Sequence, residues 1–95
     1  MTSRKGEIAL NVQHSGPSIG APLVLLHSFG SDMHVWDALL PLLPETLRII
    51  RIDLRGHGAS ECPTRPYSMG AMIKDVETAL AKANIRDAVV MGLGL

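Results

Sequence analysis

The strongest constraint on the fold is the alternation of short apolar segments with longer amphipathic ones. Residues 23–26 are continuously apolar, residues 48–54 are rich in β-branched side chains, and residues 88–91 form a third apolar segment. Helix-length patterns occupy the intervals at 33–43 and 69–83. Strands that alternate with helices form a mostly parallel sheet with helices on both faces. The pattern therefore predicts an α/β fold.

The two predicted helices carry recognisable start and stop signals. Pro41 interrupts the first helical pattern, and Pro44 is expected to end it. Ser68 is a suitable N-cap for the second helix, and Asn84 is a suitable left-handed residue after its last turn. The second helix also has an apolar stripe that is predicted to be buried, formed by Met69, Met72, Ile73, Val76 and Leu80.

A further strand is predicted near the N-terminus, and the length of the chain limits what these elements can build. Residues 7–13 alternate between apolar and polar side chains, which is typical of a half-buried strand. Ninety-five residues predict at most one small domain. In that sheet the last predicted strand would have a bare outer edge and one bare face. We therefore expect residues 1–95 to be the N-terminal segment of a single larger domain, incomplete on its own and completed either by a complementary chain or by the remainder of a longer polypeptide.

Composition narrows the classes of function. Nine basic residues balance nine acidic ones, so neither nucleic acid nor an anionic membrane surface is an expected partner. No apolar run has the length of a membrane span or a signal peptide. The single cysteine, Cys62, excludes an internal disulfide and suits a reducing compartment, so a cytoplasmic location is expected. His14 and His34 lack the spacing of a metal site, and no metal or cofactor is expected.

Three polar or glycine-containing segments follow the three predicted parallel strands. They span residues 27–30, 53–60 and 92–95. The carboxyl ends of parallel strands share one edge of the sheet, where such folds bind their ligands. The sequence therefore predicts one site formed by these three segments. Within it, Asp53 is expected to accept hydrogen bonds from backbone N–H groups of its own glycine-containing turn.

These segments together resemble the N-terminal part of α/β-hydrolase fold enzymes. The matching motifs are His-x-Phe-Gly at 27–30, Asp-x-Arg-Gly-His-Gly-x-Ser at 53–60, and Gly-x-x-x at 92–95. Within that superfamily the chain is most similar to 3-oxoadipate enol-lactone hydrolases and related small carboxylesterases. Segments 31–36 and 65–68 support the resemblance, which extends over nearly the whole chain.

The resemblance implies specific roles at the predicted site. The backbone N–H groups of Phe29 and Leu95 would form an oxyanion hole. Gly94 occupies the position of the nucleophile, where serine is expected, and the catalytic histidine and acid would follow later in the chain. Glycine here is consistent with an engineered substitution, with natural divergence or with an artefact of a chain break. The resemblance also implies that five residues shape the site without catalysing: His27, Ser28, Gly30, Arg55 and His57.

The implied activity is hydrolysis of a small ester or (enol-)lactone through an acyl-enzyme, without a cofactor. Because glycine has no nucleophilic side chain, this chain alone is expected to be inactive. A non-catalytic hydrolase-like binding protein or receptor remains an alternative. A weaker one is a dinucleotide-binding Rossmann fragment, since residues 92–94 could begin Gly-x-Gly-x-x-Gly. Dehalogenase, haloperoxidase and carbon–carbon hydrolase chemistries share the same N-terminal pattern.

Overall fold

The computed structural model describes residues 8–62 and 68–93, which form a mixed four-stranded sheet. Its strands, in chain order, are β1 (Val12–Ser15), β2 (Ala21–Leu26), β3 (Leu47–Ile52) and β4 (Val89–Gly92). Their spatial order is β1-β3-β2-β4, with β1 antiparallel to β3 and the other two pairings parallel. The predicted α/β class with a mostly parallel sheet is confirmed.

Strand β2 lies in the middle of the hydrophobic core because both of its faces are apolar. Successive side chains of a strand point to opposite faces of the sheet. Val24 and Leu26 accordingly belong to one buried cluster, whereas Leu23 and Leu25 belong to another. The first cluster is covered by the α-helix that follows β3, and the second is covered by the segment that contains Trp36. A continuously apolar run therefore becomes a strand that is buried on both sides.

The segment predicted as a first helix, residues 33–43, is not one α-helix. It forms two short 3₁₀ helices, Met33–Trp36 and Leu40–Leu42. Pro41 explains the break, because proline has no N–H to donate and clashes with the preceding helical turn. The apolar side chains of this segment still pack in the core, since Trp36 is buried and Leu39, Leu40 and Leu43 pack against the same cluster.

The second predicted helix is confirmed as α1 (Met69–Lys82). The Ser68 side chain accepts a hydrogen bond from the Ala71 N–H at 3.1 Å, and Asn84 has a φ of 58°. Both are the predicted capping features. The predicted buried stripe is only partly correct, because Met69 and Ile73 are 46% and 53% exposed. With Val90 they border an apolar groove of about 250 Å³ between α1 and β4.

The strand predicted at residues 7–13 lies later in the chain, at Val12–Ser15. Its antiparallel register begins opposite Ile52, the last residue of β3, so earlier residues pass beyond the end of that strand. They pair with the next loop instead. The Asp53 N–H donates to the Asn11 carbonyl at 3.0 Å, and the Glu61 N–H donates to the Ala9 carbonyl at 2.8 Å.

Strand β4 is one of the two edge strands of the described sheet. It pairs with β2 on one side, and no residue within 8–62 or 68–93 pairs with its other side. All four of its residues are exposed, including Val89 at 65%. Its register places Gly92 beside Leu26, and the Leu93 N–H donates to the Leu26 carbonyl at 3.2 Å. The end of β4 therefore lies next to the loop that follows β2.

Candidate functional site

The loops after β2 and β3 lie side by side because their strands end in register. Leu26 is paired with Ile52 on one side and with Gly92 on the other. Residues 27–30 and 53–60 consequently leave the sheet at the same edge, as the alternation of elements predicts. Two histidines, one from each loop, then join the loops through hydrogen bonds.

His27 is completely buried and uses both ring nitrogens. Its Nε2 accepts a hydrogen bond from the Leu54 N–H at 2.9 Å, and its Nδ1 lies 2.7 Å from the Ser28 carbonyl oxygen. An acceptor nitrogen carries no proton, so we assign the proton to Nδ1, which donates to that carbonyl. This neutral imidazole has no free nitrogen for proton transfer. The structure gives His27 a role in joining the loops.

His57 makes the reciprocal connection from the second loop to the first. Its Nε2 accepts a hydrogen bond from the Gly30 N–H at 2.9 Å. Its Nδ1 lies 2.9 Å from the Arg55 carbonyl oxygen, to which it donates by the same reasoning. The centroids of the His27 and His57 rings are 5.0 Å apart. Each loop thus supplies one imidazole that accepts a backbone N–H of the other loop.

Phe29 lies between two peptide groups that these histidines hold. The Ser28 carbonyl, which belongs to the same peptide group as the Phe29 N–H, accepts from His27, and the next peptide group donates from Gly30 to His57. Gly30 has a φ of 81°, which a left-handed turn requires. Among the described residues, none accepts a hydrogen bond from the Phe29 N–H. The loop therefore presents an oriented and available backbone donor.

Asp53 fixes the second loop by accepting three hydrogen bonds. Its Oδ1 accepts from the Met33 N–H at 2.7 Å, and its Oδ2 accepts from the Asn11 side chain at 2.9 Å and the Ala59 N–H at 3.0 Å. Burial alone would raise the pKa of Asp53, but these hydrogen bonds outweigh it and hold the pKa below its usual value. Ala59 belongs to the glycine-containing turn, so the predicted anchoring by Asp53 is confirmed.

Gly58 is required where this turn passes the Asp53 carboxylate. Its φ is 51°, and a β-carbon at this position would collide with all three atoms of that carboxyl group. Ser60 completes the turn, because its Oγ donates to the Asp53 carbonyl and accepts from the Asn11 N–H at 2.7 Å. The motif at 53–60 therefore folds around one buried carboxylate.

Arg55 is fastened to α1 through a residue that the sequence reasoning missed. Its Nε and second terminal nitrogen lie 2.5 Å and 2.7 Å from the two carboxylate oxygens of Asp75. Both side chains are largely buried. A signal was available, because Asp75 interrupts the apolar stripe between Met72 and Val76 on one helix face. A carboxylate in such a position needs a cation to pair with.

The remaining predicted site residues are placed as follows. Ser28 contributes its carbonyl group to the first loop through the bond from His27. Gly94 and Leu95 lie outside the described residues. In the described part of the chain, no cluster of three or more histidine, cysteine or acidic side chains could hold a metal ion. None of the described helices is long and apolar enough to cross a bilayer.

A cavity of about 390 Å³ lies beside Phe29. It is lined by Phe29, His57, Ser68, Met69 and Met72. The ring nitrogens of His57 are both hydrogen-bonded within the loops, so the described residues of the lining present no free charged group. The candidate active site consists of this concave surface and the Phe29 N–H, for which no described residue is an acceptor.

Comparison with known protein families identifies the family to which this chain belongs. Residues 21–93 match the model of the α/β-hydrolase fold family. The chain belongs to this family. The aligned part includes the two histidine-joined loops, α1 and β4, so the hydrolase fold accounts for the arrangement of strand ends and loops described above.

Three relatives show how this chain compares with longer proteins. 3-Oxoadipate enol-lactonase 1 of Acinetobacter baylyi is 31% identical over 100% of this chain and 35% of its own length. Fluoroacetate dehalogenase of a Burkholderia species is 36% identical over 74% of this chain and 24% of its own length. The structure of a Pseudomonas aeruginosa hydrolase superimposes with a TM-score of 0.86 and 37% identity, covering 90% of this chain and 32% of that one. The chain thus spans about a third or less of the length of these relatives.

Proposed function

We propose that this chain provides one oxyanion-hole donor and the strand leading to the nucleophile in a cofactor-free hydrolase of small esters or (enol-)lactones. The observation that carries this proposal is the Phe29 N–H, which has no acceptor among the described residues. It belongs to the peptide group that His27 holds, and the next peptide group is held by His57. A preorganised donor of this kind stabilises the negative charge that develops on the acyl oxygen. The relationship to an enol-lactonase supports the same reaction class.

In this proposal the Leu95 N–H supplies the second donor, and residue 94 is the position of the acylated nucleophile. The cavity beside Phe29 would hold the uncharged part of the substrate against Met69 and Met72. The histidine and acid of the triad would come from further polypeptide, which would also cover the exposed residues of β4. The chain alone would be inactive, since position 94 is glycine. We place the protein in the cytoplasm, with no nucleic-acid or membrane partner.

A chimeric enzyme tests the proposal. Residues 8–95, carrying Gly94→Ser, are joined to the part of Acinetobacter baylyi 3-oxoadipate enol-lactonase 1 that follows the aligned segment. We expect this G94S chimera to hydrolyse a simple aryl ester with a burst that reports an acyl-enzyme. The same chimera with Gly94 retained is the matched control. Its turnover should be lower by a factor on the order of a million, as when a serine nucleophile is removed.

The Phe29 donor is tested in the G94S chimera by Phe29→Pro, which removes the N–H. We expect kcat to fall by about 10²–10³ with little change in KM, the typical effect of losing one oxyanion donor. Phe29→Leu keeps the N–H and changes only the side chain, so it controls for packing. Equal losses of kcat in the two variants would contradict the assignment of the Phe29 N–H.

A second candidate function rests on Gly94 alone. A hydrolase-like binding protein or receptor would use the same cavity without turnover, and glycine at the nucleophile position favours such a role. A folded G94S chimera that binds aryl esters at the cavity but never hydrolyses them would support the binding protein. Recovered hydrolysis would support the enzyme.

A further inference from the structure

A continuous series of hydrogen bonds links helix α1 to the loop that carries Phe29. It begins with the Asp75 carboxylate, which accepts two hydrogen bonds from the Arg55 guanidinium, at 2.5 Å and 2.7 Å. The two side chains are only 7% and 12% exposed. A bidentate pair of this kind fixes orientation as well as distance, and its loss would leave a buried charge without its main partner.

The series continues through the backbone of Arg55 and the ring of His57. The Arg55 carbonyl accepts from His57 Nδ1–H at 2.9 Å, and His57 Nε2 accepts from the Gly30 N–H at 2.9 Å. That N–H belongs to the peptide group formed by Phe29 and Gly30. The position of the Arg55 backbone therefore determines where the imidazole lies, and the imidazole determines how this peptide group is turned.

We propose that Asp75 is a positioning residue for the Phe29 oxyanion donor, acting through Arg55 and His57. The proposal rests on the proposed function, because only there does the Phe29 N–H act as an oxyanion donor. The hydrogen bonds that link Asp75 to Gly30 can be tested separately. Asp75 touches neither Phe29 nor the cavity beside it in the contacts described. Asp75 holds the second loop against α1. His57 is thereby placed so that its unprotonated Nε2 accepts the Gly30 N–H.

The first test uses the unsubstituted protein as it is purified, together with any second polypeptide that is bound to it. Nitrogen-15 NMR of the histidine rings distinguishes the two neutral tautomers. We expect His57 to carry its proton on Nδ1, with Nε2 unprotonated and scalar-coupled to the Gly30 amide proton. A proton on Nε2 at neutral pH would overturn the proposal, because that nitrogen could not then accept from Gly30.

The second test replaces Asp75 with asparagine, which keeps the size of the side chain and removes its charge. We expect the His57 Nδ1–H, Phe29 and Gly30 amide resonances to shift. Amide exchange at Gly30 should accelerate about fivefold to tenfold, the effect of weakening one hydrogen bond. Asp37→Asn is the matched control, because Asp37 also pairs with an arginine, Arg51 at 2.6 Å, but the Asp37 side chain is 57% exposed. It should leave the Gly30 signals unchanged.

Arg55→Lys provides a second variant in case Asp75→Asn does not fold. Lysine keeps the charge but cannot form the two-pronged contact, so it should shift the same Phe29 and Gly30 signals. Unchanged Gly30 exchange in a folded D75N or R55K protein would overturn the proposal. An equal change in D37N would also overturn it, because the effect would then not depend on this series of contacts.

Kinetics in the G94S chimera separate positioning from folding. If Asp75 positions the donor, Asp75→Asn should lower kcat per folded molecule about tenfold with KM nearly unchanged, a loss confined to the transition state. A variant that only loses stability would keep its kcat once the folded fraction is taken into account, and this outcome would contradict the proposal. An inactive parent chimera would instead count against the proposed function, while the NMR results would still decide the role of Asp75.

Discussion

Replacing Asp53 with asparagine tests whether one buried carboxylate organises the second loop. Asp53 is 2% exposed, and its carboxylate accepts hydrogen bonds from Met33, Asn11 and Ala59, which belong to three different segments. Asparagine has nearly the same shape but only one acceptor oxygen. Whichever way its amide is turned, the NH₂ group faces at least one N–H donor.

The expected cost follows from counting these hydrogen bonds. In the better orientation the amide oxygen takes the place of Oδ2, keeps the two bonds there and loses the one from Met33. Losing a hydrogen bond to a charged group costs about 1.5–3 kcal/mol, and the two that remain weaken as the charge disappears. Relief of the desolvation of the carboxylate offsets part of this loss. We therefore expect Asp53→Asn to lower the free energy of unfolding by about 2–4 kcal/mol.

The cost is measured at pH 7 by unfolding the G94S chimera and its Asp53→Asn variant in guanidinium chloride, with circular dichroism as the signal. Asp37→Asn is the control, because the Asp37 carboxylate lies on the surface, and it should change stability by less than about 1 kcal/mol. If Asp53→Asn cost no more than Asp37→Asn, the carboxylate would not be what holds the loop.

The stability difference between the parent chimera and its Asp53→Asn variant should depend on pH in a definite direction. The pKa of Asp53 is lowered in the folded state, so its contribution is fully present above the unfolded value of about 3.9. That contribution is lost as the pH falls through the lower folded value. The stability difference between the parent chimera and its D53N variant should therefore shrink below about pH 4. A difference that stayed constant down to pH 2 would show that the charged form is not what stabilises the loop.

Two smaller predictions concern the backbone around the site. Gly58→Ala should destabilise the chimera by more than about 1 kcal/mol, since its β-carbon would meet the Asp53 carboxylate at a positive φ; thermal unfolding checks this, and an unchanged melting temperature would refute it. Ser68→Ala should cost about 1 kcal/mol by removing the N-cap bond to Ala71, whereas Ser68→Asp should largely retain stability. Equal melting temperatures for these two variants would argue against the cap.

The strand ends and the helix around the site could be predicted because they depend on local patterns. Apolar runs marked β2 and β3, and their parallel pairing follows from the helix-length segments between them. The cap at Ser68 and the left-handed Asn84 are equally local. The role of Asp53 also follows from its own turn. In each case the signal lies within one short segment of the sequence, although Asp53 also accepts hydrogen bonds from Asn11 and Met33, which are distant from it in the chain.

What the sequence did not reveal depends on contacts between distant segments. The position of β1 is set by where β3 ends, which the alternation of residues 7–13 does not show. Asp75 is paired with Arg55 across twenty positions, so the pair becomes visible only when α1 packs on the sheet. His27 and His57 could be assigned to the site, but their use of both ring nitrogens follows only from the distances.

These long-range contacts have a consequence for the glycine at position 94. The direction of the Phe29 N–H is set by His27, His57, Arg55 and Asp75, all of which precede β4 in the chain. Among the described residues, the contacts that orient this donor come from these four residues and not from a nucleophile. A glycine in place of the nucleophile should therefore remove covalent chemistry while leaving the donor able to bind an oxygen that carries negative charge.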